Sequence, residues 1–240
     1  NLNSTVAFIG DMNWETGQFC VDSYDEIDGG LDFYAPQTCQ GPNGERYMVA
    51  WMQMWQRSIP SHDLGHGWAG SMTVPRKLVL KDGRLVQELP ESVKDHFFVE
   101  NAPETIVKGN QILIPVRGKQ TLFEIDSKPG CSFILSYGDE SDADSALQLI
   151  YDASKKRFSL RRDRFGHLIS GKESPEFQLR WIQLDAEKDL HFSILRDTNS
   201  IEVFVDGKTL SMTFYETTEN PVYTLTADEG VDWVVKTYQK

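Results

Sequence analysis

The chain has 240 residues, of which 40% are hydrophobic and 11% aromatic, enough apolar material for a packed core and too much for a disordered chain. With 24 basic and 36 acidic residues the net charge is −12, which repels phosphate backbones and argues against a nucleic-acid partner. No apolar run approaches the ~20 residues of a membrane-spanning helix, so no membrane partner is expected. The length allows one large domain or two small ones. The opening residues NLNSTVAFIG carry neither a basic segment nor a long apolar one, so no secretion signal is visible.

Short β-rich runs follow one another along the chain, separated by turn residues. They are predicted at Thr5–Ile9, Tyr47–Met52, Met72–Leu80, Gln111–Val116, Ser132–Ser136, Ala146–Tyr151, Phe177–Ile182, His191–Leu195 and Ile201–Val205. Asp-Gly pairs at 82–83 and 206–207 sit between apolar runs and read as tight hairpin turns. Pro-Gly at 129–130 is further punctuation. Glu91–Phe98 has room for one or two helical turns. The texture changes near residue 90: four of the six Trp (14, 51, 55 and 68) precede it, with long polar loops between strands. Residues 104–240 read as regular strands alternating in and out, an antiparallel sandwich with its sheets face to face. Residues 1–88 and 104–240 are thus two units, with 89–103 as connector.

The three cysteines, Cys20, Cys39 and Cys131, form no C-x-x-C spacing and are odd in number. They read as free thiols in a reducing compartment, and a cytoplasmic location fits. His62 and His66 are four apart, but they lie in SIPSHDLGHGWAG, too rich in Pro, Gly and Ser to hold a metal-binding helix. The acidic clusters Asp25–Asp28 and Asp139–Asp144 offer carboxylates for glycosidase or calcium chemistry. The second lacks the EF-hand order and reads as a solvated loop. There is no G-x-S-x-G elbow, no G-x-G-x-x-G and no Walker loop, so serine-triad and nucleotide chemistry are unsupported. The sequon Asn3-Ser4-Thr5 is read as chance.

The aromatic residues are more informative. Tyr34, Trp51, Trp55 and Trp68 fall close together in sequence, beside Asp28, Asp32 and Arg76. Flat aromatic faces with charged groups that grip hydroxyls are what a sugar pocket needs. Filling a core is an equal alternative for the same residues. The residues alone support a β-rich protein with carbohydrate-binding features.

Four ordered segments extend this. Ile27–Thr38, IDGGLDFYAPQT, closely resembles a motif of glycoside hydrolase family 32, the β-fructofuranosidases. Tyr47–Trp55 resembles that family's "GW" strand. Trp68–Leu80 resembles its W-x-G-x-M-T-x-P-R-x-L stretch, continued by Gly83–Gln87. Leu190–Gly207 resembles its sandwich signature. The resemblance implies an all-β fold: the final part of a five-bladed β-propeller over 1–88, followed by a complete antiparallel β-sandwich over 104–240. It also implies that Asp32 binds sugar hydroxyls, that Tyr34 and Trp51 line the fructose pocket, and that Trp68 contributes at the rim. Propeller packing is the competing role for Trp55 and Trp68. Gly29 stands where the family often has Tyr, which implies the loss of one aromatic face.

Family catalysis uses an aspartate in an N-D-P-N-G-like motif, an aspartate in R-D-P and a glutamate in an E-C motif. The 240 residues contain no N-D-P, R-D-P or Glu-Cys sequence, so no catalytic residue is assigned and the chain alone is expected not to hydrolyse fructosides. The chemistry needs two carboxylates and no metal or organic cofactor. The partners implied are a fructoside sugar and either a missing N-terminal half or a second copy of the chain, because an incomplete propeller leaves strand edges open. The sandwich is expected to fold independently. The leading reading is the C-terminal portion of a retaining fructoside hydrolase. A non-catalytic fructoside-binding protein and an assembly role are the alternatives.

Overall fold

The computed structural model describes residues 4–97, 104–107, 111–115, 118–171 and 178–238, and β-strands dominate it. Strands β1 (Val6–Asn13) and β2 (Gln18–Glu26) form a separate two-stranded hairpin. Strands β3 (Tyr34–Gln40), β4 (Arg46–Trp51), β5 (Arg76–Lys81) and β6 (Arg84–Glu88) follow as an antiparallel meander in chain order. A single turn of helix, α1 (Pro60–Asp63), lies between β4 and β5. Helix α2 (Glu91–Phe97) follows β6. The expected helical turns at Glu91–Phe98 therefore form, and Phe98 lies outside the described residues. The Pro/Gly/Ser-rich segment was expected to hold no helix. It holds this one turn, because Pro60 at the first position is already fixed near helical φ and lacks only an N–H that has no partner there.

The remaining strands build two six-stranded sheets. They are β7 (Glu104–Val107), β8 (Gln111–Pro115), β9 (Gln120–Ser127), β10 (Phe133–Gly138), β11 (Leu147–Asp152), β12 (Arg157–Arg161), β13 (Leu179–Gln183), β14 (Leu190–Arg196), β15 (Ser200–Val205), β16 (Lys208–Thr213), β17 (Val222–Ala227) and β18 (Val231–Tyr238). One sheet has the order β13-β12-β11-β10-β17-β8 and the other β16-β15-β14-β9-β18-β7. One large apolar core gathers side chains from both. At its centre Phe133 meets Phe192 edge-on at 5.0 Å and Trp233 at 5.4 Å, the geometry that aligns ring edge with ring face. Both Asp-Gly pairs make the expected hairpin turns. Asp82 and Gly83 have φ of 49° and 71°, and Asp206 and Gly207 have 51° and 74°. Two successive positive φ values are the type I′ signature, whose twist matches that of the strands it joins.

Alternation holds in β11 and β12 but breaks in β15 and β16, which are buried on both faces. Ile201, Val203 and Val205 enter the sandwich core, as do Leu210 and Met212. The opposite faces, with Glu202, Thr209, Ser211 and Thr213, are covered by the first part of the chain and bond to Asp28, Asp32 and Arg76. A second, smaller core of Phe33, Met48 and Ala50 lies on the meander side. The hairpin β1–β2 is different. β2 is exposed along its whole length, and Phe8, Phe19, Val21 and Tyr24 all face solvent. Among the described residues no helix is long and apolar enough to cross a membrane.

Helix α2 is tied to the sandwich through an ionic cluster. Lys94 pairs with Glu124 on β9 at 3.0 Å. Glu124 also accepts from the Ser193 hydroxyl at 2.5 Å and meets His191 Nε2 at 3.0 Å, while His191 Nδ1 meets Asp126 at 2.8 Å. The hydrogen bond to Glu124, opposed by partial burial and aided by Asp126, raises the His191 pKa from 6.5 to about 9. A folded-state pKa above the unfolded one favours the folded state while the ring is protonated in both. This contribution is therefore complete below pH 6.5 and lost as pH rises through about 9. The melting temperature is expected to fall over that window, and the His191→Gln variant to show a flatter profile. An unchanged profile in the variant would remove His191 as the titrating group.

Candidate functional site

The segment Ile27–Tyr34 decides where the expected site residues lie. Its backbone runs along the open edge of β16, with the Gly29 N–H donating to the Thr209 carbonyl at 2.9 Å and the Leu31 N–H to the Ser211 carbonyl at 2.7 Å. The approach is so close that a Cβ on Gly30 would stand 2.1 Å from the Ser211 nitrogen, and one on Gly29 2.1 Å from Ile182 Cγ2. Only glycine permits such contact. Gly29 is thus pressed against the sandwich, where any side chain would have to displace the Ile182 methyl.

The carboxylates of this segment turn towards the sandwich. Asp28 accepts from Arg76 Nη1 at 2.9 Å, the Ser211 hydroxyl at 2.8 Å and the Ser211 N–H at 2.9 Å. Arg76 also donates to Glu202 at 2.9 Å, Gln87 at 3.1 Å and Thr209 at 2.7 Å. Burial opposes the charge on Arg76, but Asp28 and Glu202 outweigh it and raise its pKa. Burial pushes Glu202 up in spite of Arg76, since two carboxylates face one guanidinium.

Asp32 was expected to grip sugar hydroxyls, and its surroundings correct that expectation. It is 1% exposed. Its Oδ1 takes Arg57 Nη1 at 2.9 Å and Arg162 Nη2 at 3.3 Å. Its Oδ2 takes Arg162 Nη1 and the Thr213 N–H and hydroxyl, the last two at 2.8 Å each. A carboxylate has about four acceptor positions, and five donors already converge here. No capacity is left for a sugar. Burial works against the charge, but the two arginines and the Thr213 N–H overcome it and lower the pKa.

Tyr34, two residues on, is where the chain returns towards solvent. It opens β3 opposite Trp51 at the end of β4. Their rings stand edge-on at 6.3 Å, and Trp55 meets Tyr34 at 6.1 Å and Trp51 at 5.8 Å. Trp51 is seated by Gly70, φ 79°, where a Cβ would fall 2.6 Å from the indole nitrogen. Trp55 is 58% exposed, so packing, the competing role weighed for it, does not describe this residue. Trp68, 49% exposed, has His66 as its ring neighbour at 5.2 Å. The structure therefore gathers Tyr34, Trp51 and Trp55 into an aromatic surface and puts Trp68 in a separate contact. His62 and His66 are both exposed. Among the described residues no three His, Cys, Asp or Glu side chains gather as a metal needs.

Sequence reasoning missed Arg57 and Arg162. Arg57 donates to both Asp32 and the Leu31 carbonyl, the latter at 2.6 Å, and it lies two residues past Trp55. Arg162 comes from just beyond β12 in the sandwich. Asp32 and Arg57 together therefore brace both ends of the aromatic surface. Losing the buried carboxylate would strand two guanidinium groups, so Asp32→Ala is expected to lower the unfolding free energy by about 3–5 kcal/mol. Urea titration checks this. A variant of unchanged stability would mean that Asp32 is not a structural anchor.

Comparison with known proteins places this arrangement. Residues 1–89 match the model of the glycosyl hydrolases family 32 N-terminal domain. Residues 92–238 match that of the family's C-terminal domain. The chain is 32% identical over 227 residues to a raffinose invertase of Escherichia coli, covering 91% of this chain and 44% of that protein. It is 28% identical over 202 residues to a sucrose-6-phosphate hydrolase of Zymomonas mobilis, covering 80% of this chain and 37% of the relative. The fold of a Bombyx mori β-fructofuranosidase in complex with sucrose superposes with a TM-score of 0.79 at 19% identity, over 99% of this chain and 47% of that one. The chain spans less than half the length of each of these relatives.

Proposed function

The chain belongs to glycosyl hydrolase family 32, and we propose that it is the C-terminal portion of a retaining hydrolase of terminal β-fructosides such as sucrose, sucrose-6-phosphate or fructan. The observation that carries this reading is that two family models match consecutive stretches, 1–89 and 92–238, in family order. The relatives' names, raffinose invertase and sucrose-6-phosphate hydrolase, support the substrate class. In this reading residues 1–88 are the last part of a five-bladed propeller, 89–103 the connector and 104–240 the sandwich. The four-stranded meander β3–β6 supports a blade, and the paired six-stranded sheets support the sandwich. Three free cysteines support a reducing compartment such as the cytoplasm.

The aromatic cluster and the buried aspartate support these roles. Tyr34, Trp51 and Trp55 offer the fructose ring an apolar wall, and the rim role of Trp68, which stands apart beside His66, rests on the family resemblance alone. Asp32 acts behind them, holding the segment that carries Tyr34 and, through Arg57, the turn that carries Trp55. Retention needs two carboxyls about 5–5.5 Å apart across the scissile bond. The 240 residues contain none of the family's three carboxylate motifs, so these groups are contributed by polypeptide outside them. This chain supplies one wall of the pocket and the sandwich that braces it.

Two incubations test this. Residues 1–240 with sucrose are expected to release no fructose, and adding a polypeptide that carries the three carboxylate motifs is expected to restore release. Turnover of sucrose by residues 1–240 alone would overturn the division of labour. Failure of fructose to perturb Trp51 or Trp55 fluorescence would overturn the pocket assignment.

A further inference from the structure

Five non-glycine residues among those described have a positive φ. Three of them, Asp82, Lys156 and Asp206, sit in hairpin turns between paired strands, where that conformation is ordinary. The other two are Ala35, φ 48°, and Gln56, φ 67°, and they directly follow Tyr34 and Trp55. A side chain in this region of backbone space is strained and stays there only when its surroundings over-determine it. The strain that no hairpin requires thus falls where the chain presents its aromatic surface.

What holds Gln56 comes from the sandwich. The two residues after it pair with the connection between β12 and β13. Arg57 bridges Gly171 in antiparallel register. The Ser58 N–H donates to the Ser170 carbonyl at 2.7 Å, and the Ser170 N–H donates back to the Ser58 hydroxyl at 2.9 Å. The Ser58 carbonyl accepts from the Gln53 side-chain amide at 3.0 Å, which closes the turn 53–58 around Trp55 and Gln56. Gly171 sets how near the two segments come. A Cβ there would stand 3.2 Å from Arg57 Cγ and 3.2 Å from the Gln56 carbonyl oxygen, closer than side chains usually pack, so a methyl group would push against the turn.

The sandwich side of this bridge is itself anchored. Gln178 donates to the Ile169 carbonyl at 2.7 Å and accepts from Arg162 Nε at 3.1 Å. The His167 N–H donates to the Tyr215 carbonyl at 2.8 Å. Arg162 therefore reaches the Trp55 turn by two routes. One runs through the side chains of Asp32 and Arg57. The other runs through Gln178, Ile169 and the Ser170–Ser58 pair. We propose that Ser58 and Gly171 are positioning residues: the bridge between the sandwich and the turn 53–58 holds Trp55 at the angle at which it meets Tyr34 and Trp51. A wall fixed before its ligand arrives spares the cost of ordering it on binding. The proposal rests on the fructoside reading only for the ligand that the wall receives.

The test uses residues 1–240 labelled with 5-fluorotryptophan, with fluorine NMR following Trp55 against Trp233 of the core. Ser58→Ala removes the acceptor for the Ser170 N–H. The Trp55 signal of the free protein is then expected to broaden or split while Trp233 keeps its position. Ser58→Thr keeps the hydroxyl and is expected to restore the parent signal. If the held arrangement falls from nearly all to about a tenth of the population, affinity falls about tenfold, and calorimetry of Ser58→Ala with fructose is expected to read that loss. Gly171→Ala lies at an exposed position and is expected to displace the same Trp55 signal, which keeps the test decisive if Ser58→Ala folds poorly. Trp55 signals that match the parent in both variants would overturn the proposal. So would a Trp55 change accompanied by an equal change at Trp233, or variants that bind fructose as tightly as the parent. A Trp55 signal that responds to both variants in a protein that binds no fructose would uphold the positioning role and overturn the fructoside reading.

Discussion

The guanidinium of Arg76 is fully buried where the meander meets the sandwich, and the rest of the structure is arranged around keeping it paired. An unpaired buried charge is costly, and a pair repays its desolvation only if its remaining hydrogen bonds are satisfied. Arg76 meets this condition with Asp28 from the preceding segment, Glu202 from β15, and the side chains of Gln87, Thr209 and Ser211. Asp32 with Arg57 and Arg162 forms a second cluster in which cations outnumber anions. Two carboxylates on one guanidinium beside one carboxylate on two guanidiniums bring the seam as a whole to neutrality. Alternate residues of β16 serve both clusters, Ser211 for Asp28 and Thr213 for Asp32. One strand therefore reads out the spacing of two aspartates four residues apart.

This seam links the sandwich to the aromatic surface. Arg162 belongs to the sandwich, Asp32 to the approach to β3 and Arg57 to the turn after Trp55, and all three meet at one carboxylate. The sandwich is then a brace that sets the angle between Tyr34 and Trp55. Conformational specificity is the benefit expected of such buried ionic groups, because a misdocked arrangement would leave charges unpaired.

Local features were legible in the sequence and remote ones were not. The Asp-Gly hairpins follow from two residues' own backbone preferences, and the runs later found in β4, β5, β11, β14 and β15 follow from their apolar content. Strand β2, QFCVDSYDE, escaped notice because it is exposed throughout and shows no alternation. Strand β3, YAPQTCQ, carries a proline and a register shift between Tyr34 and Gln37. The segment IDGGLDF was legible as important but not for its role. The partners that occupy Asp32 lie 130 residues away at Arg162 and 181 away at Thr213. No local pattern signals such a meeting. The pair of glycines was the available clue, since adjacent glycines outside a turn mark a close backbone approach. The aromatic cluster was partly legible: Tyr34, Trp51 and Trp55 are close in sequence and come together, while Trp68 stands apart.

The buried clusters predict that meander and sandwich unfold as one cooperative unit, whereas the sequence alone implies a sandwich that folds independently. Equilibrium urea unfolding tests it most directly when each tryptophan is followed separately. Trp51 reports on the meander, and Trp233, buried in the core between the two sheets, reports on the sandwich. A single unit requires the two midpoints to coincide. If Trp233 stays native while Trp51 unfolds at lower urea, the buried clusters do not couple the two parts, and meander and sandwich are separate folding units.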